Sequence, residues 1–348
     1  MIYFNNDYSE GCHAKILQKM VETNYEQTPG YGTDDYCKAA ALRIRELCNN
    51  DGVDVHFLVG GTQTNLTVID AALRPHQGVL CAVSGHINVH ETGAVEATGH
   101  KVIGLPSMDG KVTADQIQEV VIAHHTDASA EHTVQPKMVY ISNPTELGTI
   151  YNLSELRAIS DICRAHDLYL FLDGARLGYG LTAAGNDLTM EHLASLCDVF
   201  YIGGTKVGAL FGEAVVISNR SIAADFRYLI KQHGGMLAKG RLLGIQFLTL
   251  FENNLYFEIA ERANRQADQI RTVLHELGYN FLVPGVSNQI FPILPDGLLD
   301  KLSEKFCYSE QERVDSEHRA IRFCTSWATT QENVNALCAE LRSLSNHG

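Results

Sequence analysis

The chain has 348 residues, 45% of them hydrophobic and 20% charged, a composition ordinary for a globular enzyme that is long enough to bury a sizeable core and divide into two domains. Its formal net charge of −14 argues against a nucleic-acid or anionic-membrane partner, since both call for a basic surface. The nine cysteines are odd in number and show no CxxC spacing, there is no secretory leader at Met1-Ile2-Tyr3-Phe4, and no apolar run is long enough to span a bilayer, so the expectation is reduced thiols in a cytoplasmic protein without disulfides.

In chain order, a short helix is expected at 12–23. A strand-like run at 53–59 then precedes a helix at 63–73, and one at 78–83 precedes a helix at 87–98. The run at 102–105 leads to a helix at 114–123, and 124–135 is polar, His-rich and read as a surface loop. The strand at 137–142 leads to a helix at 153–166, in which Leu153, Leu156, Ile159, Ile162 and Cys163 keep helical spacing. Three further strands are expected at 168–172, 199–202 and 212–217. Seven strands alternating with helices predict an α/β domain, a mostly parallel seven-stranded sheet with helices on both faces. A long helical pattern at 241–277, strands at 289–294 and 320–325 and a last helix at 331–344 predict a small α+β C-terminal domain. The expected division is 1–245, with the N-terminal segment, and 246–348.

Two strand ends carry the chemistry. Leu168-Tyr169-Leu170-Phe171-Leu172 ends in Asp173-Gly174-Ala175-Arg176, and Val199-Phe200-Tyr201-Ile202 ends in Gly203-Gly204-Thr205-Lys206. Ligands of open α/β sheets sit at carboxyl strand ends. An acid and a lysine placed there suit pyridoxal phosphate (PLP), the lysine as Schiff base and the acid on the pyridine nitrogen. Asp173 has the alternative of capping a helix, yet after five apolar residues an acid needs a partner, and a protonated ring nitrogen is one. Arg176 suits a substrate carboxylate or a surface ion pair. Lys206 suits imine chemistry if burial and nearby positive charge lower its pKa, and otherwise reads as a surface lysine.

Gly60-Gly61-Thr62-Gln63 joins a strand to a helix start, where free N–H groups and the helix dipole favour a phosphate. It is neither a Walker A loop nor GxGxxG. His86 and His90 share a helix face, but HExxH is absent and no third ligand is evident, so no metal site is expected. His86 reads instead as a ring laid on an aromatic cofactor. Gly178-Tyr179-Gly180 prompts a dehydrogenase reading, which the missing GxGxxG spacing ranks low.

With these residues in view, the sequence resembles the low-specificity threonine aldolases, in the fold-type-I superfamily of PLP enzymes and close to the aromatic amino acid β-eliminating lyases. The resemblance rests on Asn6-Asp7, Tyr31-Gly32-Thr33-Asp34-Asp35, Gly61-Thr62-Gln63-Thr64-Asn65, His86, Leu172-Asp173-Gly174-Ala175-Arg176-Leu177, Lys206 and Ile321-Arg322-Phe323. It implies that Lys206 carries the cofactor and Asp173 meets its nitrogen. Gly61, Thr62 and Gln63 would hold the phosphate, and His86 would stack on the ring. Arg176 and Arg322 would clamp the substrate carboxylate, helped by Asn6 in the place of a family serine. The family's Ser-Lys-Gly is here Thr205-Lys206-Val207, and Glu146 stands near the place of a second active-site histidine. The Gly-Gly-Gly-Met-Arg element lacks its arginine, whose charge Lys239 or Arg241 could supply to a neighbouring subunit. The activity implied is reversible retro-aldol cleavage of a β-hydroxy-α-amino acid to glycine and an aldehyde. His86 or Glu146 would be the base, and the site would lie at the interface of a homodimer or homotetramer. The alternatives are a PLP-dependent β-eliminating lyase, giving ammonia and a keto acid, and a non-catalytic binding protein of the same fold.

Overall fold

The structure, a computed structural model, describes residues 1–345. Its centre is a seven-stranded sheet of β1 (Asp54–Leu58), β2 (Gln77–Ala82), β3 (Lys101–Leu105), β4 (Gln135–Ser142), β5 (Tyr169–Asp173), β6 (Val199–Gly203) and β7 (Glu213–Ile217). Their order across the sheet is β1-β7-β6-β5-β4-β2-β3. β2 pairs in parallel with β3 and β4, β4 with β5, and β5 with β6, whereas β7 runs antiparallel to both β1 and β6. The expected mostly parallel sheet is therefore the one found. One consequence matters below: the start of β7 lies beside the carboxyl ends of its neighbours, with Glu213 opposite Leu58 and Gly203.

The strands read as continuous apolar runs because both faces are covered. Successive residues point to opposite faces. Leu80, Val139, Ile141, Leu170, Leu172 and Phe200 pack into one core with Ile159, Cys163 and Leu193. Val79, Met138, Tyr140, Phe171 and Tyr201 pack into the other with Val68, Ile69 and Ile222. Each fully buried Leu or Phe contributes about 1.5–3 kcal/mol by leaving water.

A third core gathers Phe4, Ile270, Leu274, Ile290, Leu294, Ile321, Phe323, Leu337 and Leu341. It is built by the helices Leu255–Glu276 and Gln331–Ser345 and by short strands, with His318–Cys324 pairing antiparallel to Gln289–Ile290, Ile293–Pro295 and Ser309–Arg313. The chain starts here: Ile2–Tyr3 pairs in parallel with Phe306–Cys307. Residues 5–13 then lead to the helix Ala14–Glu22, whose Ile16 packs in the core of the large sheet. This crossing carries Asp7 past the carboxyl edge of the sheet.

Three local expectations change. The helix expected at 87–98 is two short ones, His86–Val89 and Ala94–Ala97, parted by Thr92 (φ 55°) and Gly93 (φ 72°) in left-handed backbone. The pattern at 241–277 breaks into Arg241–Phe251 and Leu255–Glu276, with Asn253 (φ 50°) and Asn254 (φ 63°) at the joint; asparagine tolerates that region. The polar segment 124–135 is part helix: Ala114–Thr126 extends into it, Ala130–His132 forms a 3-10 turn, and β4 takes its end. A helix at Asp35–Leu47 was not anticipated, although Cys37, Ala40, Ala41 and Ile44 bury one helical face and Asp34 caps it through the Cys37 N–H at 2.9 Å. All nine cysteines are free thiols. Among the described residues no helix is long and apolar enough to cross a membrane, and no three His, Cys, Asp or Glu side chains are grouped to hold a metal ion.

Candidate active site

At the carboxyl edge of the sheet lies a cavity of about 290 Å³, into which β1 delivers Gly60 to Thr62, β5 Asp173, and the turn after β6 Thr205 and Lys206. His86, Glu146, Arg176 and Glu213 complete its polar wall. The acid and the lysine expected to share a site do share one.

Asp173 is 5% exposed, and the order of the chain explains its setting. Gly203 hugs the turn after β5 so closely that a Cβ there would stand 2.2 Å from the Ala175 carbonyl oxygen, which fixes Asp173 and Lys206 in mutual register. Asp173 caps no helix, since the next one begins at Leu177 after Arg176. Its Oδ1 accepts the Ala175 N–H at 2.8 Å, and its Oδ2 accepts the Tyr140 hydroxyl and the Asn65 amide. Among the described residues no cation pairs with it. A buried carboxylate with no cation in contact, at a cavity wall, is a place for a cationic ligand atom.

His86 hangs on the same network. Its Nδ1 lies 2.7 Å from Glu91 Oε1, the Asn65 amide donates to the same oxygen at 2.7 Å, and that amide also reaches Asp173. An ionised Glu91 only accepts, so the Nδ1 proton is assigned to His86. The His86 backbone N–H donates to Glu146 Oε1 at 2.9 Å, and Ser142 Oγ donates to that oxygen at 2.7 Å. Burial, with Asp173 adding repulsion, holds the Glu146 carboxyl above the ordinary range. The Glu146 carboxylate is thus held by the His86 backbone, while the His86 ring is held by Glu91.

Lys206 is half-buried and, among the described residues, makes no ion pair. Burial first, then the Arg176 charge, lowers its pKa, the condition its imine role required. Arg176 itself grips Asp7, with Nε to Oδ2 at 2.7 Å and Nη2 to Oδ1 at 3.0 Å. Neither a surface pair nor a free clamp, it spends its fork inside the protein. Asn288 Nδ2 donates to Asp7 as well, at 3.0 Å. Burial alone would raise the Asp7 carboxyl; Arg176, Lys206 and these hydrogen bonds outweigh it and bring it to about 2.

The remaining expected residues divide. Gly61 and Thr62 line the cavity, and a Cβ on Gly61 would come within 3.2 Å of the Tyr201 hydroxyl. The Gln63 side chain is turned away, its Oε1 accepting the Val59 N–H and its Nε2 donating to the His233 carbonyl. Arg322 lies outside the lining: it donates to Gln289 Oε1 at 3.3 Å and to the Asn5 carbonyl at 2.9 Å, and its buried Nε has no partner. Asn6 accepts from the Tyr8 N–H and the Ser9 hydroxyl. Lys239 is exposed, and Arg241 reaches the Asn24 and Glu26 carbonyls. Asn65, Glu91, Tyr140 and Glu213 were not singled out from the sequence.

The buried pair yields a direct expectation. Asp7→Asn leaves the Arg176 guanidinium buried without countercharge, and chemical denaturation should show a loss of about 3–5 kcal/mol. The Asp7 carboxyl is depressed in the fold, so its stabilisation is complete above the unfolded value of 3.8 and is lost as pH falls through about 2. The variant should lack that acid-labile component.

A family model described as "Beta-eliminating lyase" matches residues 7–293. The chain belongs to this family. It is 30% identical to the low specificity L-threonine aldolase of Pseudomonas aeruginosa over 346 residues, covering 97% of this chain and 96% of that one. Similarity to the aldolase of the same description from a Pseudomonas species is 29% identity, over 98% and 97%. Among solved structures, the threonine aldolase of Leishmania major is 45% identical with a TM-score of 0.96, covering 99% of this chain and all (100%) of that one. An aspartate aminotransferase mutant of Thermus thermophilus, 16% identical with a TM-score of 0.73 over 99% and 91%, shares the fold. Family membership bears out the expected fold type I, enzyme class and cofactor, those of a PLP-dependent lyase.

The residues present fit that cofactor. Asp173 offers a buried carboxylate with no cation in contact to a protonated ring nitrogen, and Lys206 offers an amine of lowered proton affinity to an aldehyde carbon. No side chain caps the helix Gly61–Ala72, so its first N–H groups are available to a phosphate.

Proposed function

We propose that this enzyme reversibly cleaves β-hydroxy-α-amino acids of the threonine and allo-threonine type to glycine and an aldehyde. The observation that carries the reading is the convergence, in one cavity, of Lys206, the Asp173 carboxylate and the two bases His86 and Glu146. The threonine aldolases named above, similar over nearly the whole chain, support it.

Lys206, Asp173 and the N–H groups of Gly61 and Thr62 would hold PLP, with His86 against its ring. When bound, PLP supplies an electron sink for the pair released as the Cα–Cβ bond breaks. The protein does the rest. Arg322, outside the lining as it stands, turns inward from the small domain to bind the substrate carboxylate, and its Nε gives up no hydrogen bond in doing so. Arg176 adds positive charge on the other side, held in place by Asp7. Two fixed cations orient the bond to be broken, and orientation of this kind is a large share of catalysis.

Glu146 takes the β-hydroxyl proton. Its raised carboxyl is poised for transfer in both directions, and Ser142 and the His86 N–H hold Oε1, which leaves Oε2 to accept the proton. Glu146→Gln is expected to lower retro-aldol turnover by about 10²–10⁴-fold and to remove the acid limb of the pH–rate profile. Unchanged turnover and an unchanged limb would pass the role to His86. Product analysis separates this reading from β-elimination: one glycine and one aldehyde per amino acid consumed, against ammonia and a keto acid.

The site is placed at the interface of a homodimer or homotetramer in the cytoplasm. The exposed Lys239 supports the first part, as a charge available to a neighbouring subunit, and the nine free thiols support the second. The chain is divided at 245/246 into a large and a small domain. The third core, which takes Phe4 and then residues from Ala267 onward, supports a separate small domain, whereas Phe247 to Ala263 pack in the core of the large sheet.

A further inference from the structure

Glu213 is a buried acid for which neither cofactor holding nor proton transfer, as described, has a use. It opens β7, the antiparallel strand, so it reaches the functional edge from the amino end of its strand, opposite Gly203 and Leu58. It is 3% exposed and lines the cavity beside Lys206. Both carboxylate oxygens are engaged by the turn that carries the lysine. Oε1 accepts the Thr205 hydroxyl at 2.8 Å, and Oε2 accepts the Gly204 N–H at 3.1 Å. The Thr205 oxygen in turn accepts the Gly212 N–H at 3.0 Å, so three bonds through side chains join the two backbone bonds that the Gly204 and Thr205 N–H groups donate to the Gly212 carbonyl. A glutamine has a single accepting oxygen for these two donors. The acid adds a charge.

We infer that Glu213 is a positioning residue for Lys206: it clamps the Gly204-Thr205-Lys206 turn and supplies the negative charge that favours a proton on the Lys206 nitrogen. Burial pushes its carboxyl up to about 8, with the Thr205 hydroxyl and the Lys206 charge opposing the rise, so carboxyl and amine compete for protons near neutrality. Other titratable groups face this corner: Asp173 at the end of β5, Arg176 after it with its partner Asp7, Tyr201 on β6 and Tyr256 on the helix Leu255–Glu276. Among the carboxylates, Asp173 is bonded to Tyr140, Asn65 and its own turn, and Asp7 to Arg176 and Asn288. Glu213 is bonded to the lysine's own turn.

The inference rests on Lys206 carrying PLP, and the test separates the two. The PLP-loaded enzyme is titrated with base, and the visible band of Lys206-bound PLP is followed. Glu213→Gln keeps the shape and removes the charge, so the midpoint should fall by about one pH unit. Glu213→Asp, which keeps the charge, should return it most of the way. Thr205→Val removes the donor that favours ionised Glu213 and should move the midpoint the same way by less, a second reading if the glutamine variant does not fold. A band present in all proteins, with the Glu213→Gln and Thr205→Val midpoints coincident with that of the wild type, overturns the role of Glu213. No visible band in the wild type overturns the PLP reading itself.

Discussion

Lys206→Ala is expected to abolish turnover, with a loss on the order of 10⁴-fold or more, the scale seen when a covalent catalytic group is removed. The effect is large because nothing nearby can substitute. Among the described residues that line the cavity, Lys206 is the one amine, and its lowered proton affinity comes from burial and Arg176, which another lysine placed elsewhere would not inherit. Deleting the amine also removes a positive charge from a corner holding Asp7, Asp173 and Glu213; Glu213, already raised to about 8, takes up a proton in its place, so the fold should tolerate the change. Steady-state kinetics beside a thermal melt checks both parts: activity gone, Tm within a few degrees of the wild type.

Asp173→Asn should cost about 10²–10³-fold in kcat, the range found when one preorganised electrostatic group is lost from an active site. The substitution keeps shape and retains an oxygen to accept from Tyr140 or the Ala175 N–H, so the loss reports charge. Stability should move the other way. Without cofactor the Asp173 carboxylate is buried with no cation paired to it, an arrangement that costs free energy. The cofactor-free variant should therefore melt at or above the wild-type temperature, and added PLP should stabilise it less than it does the wild type. A parallel fall in cofactor-free Tm and in kcat would mean that Asp173 serves the fold.

What could be read from the chain follows from what a parallel sheet does to its strand ends. Asp173 and Lys206 were visible because each closes an apolar run, and parallel strands all bring their carboxyl ends to one edge. Glu213 obeys the same geometry in reverse. It begins its run, and only the antiparallel setting of β7, which no residue pattern within the strand announces, brings that beginning to the functional edge. Asp7 was invisible as a partner of Arg176 because 169 positions separate them and the pairing depends on the chain starting in the third core. Asn65 and Glu91 sit in segments whose helical period was evident while their orientation was not, and Thr92 and Gly93 turn what looked like one helix into the bend that presents Glu91 to His86. The resemblance to a family placed the roles. The hydrogen bonds showed which of them compete, with Arg176 spent on Asp7 and the Gln63 side chain on the His233 carbonyl.

The central claim is that this cavity holds PLP on Lys206. The absorption spectrum of the purified protein after incubation with PLP and removal of the excess tests it most directly. The wild type is expected to show a persistent visible band that is absent from Lys206→Ala. A colourless wild type that retains no PLP would contradict it.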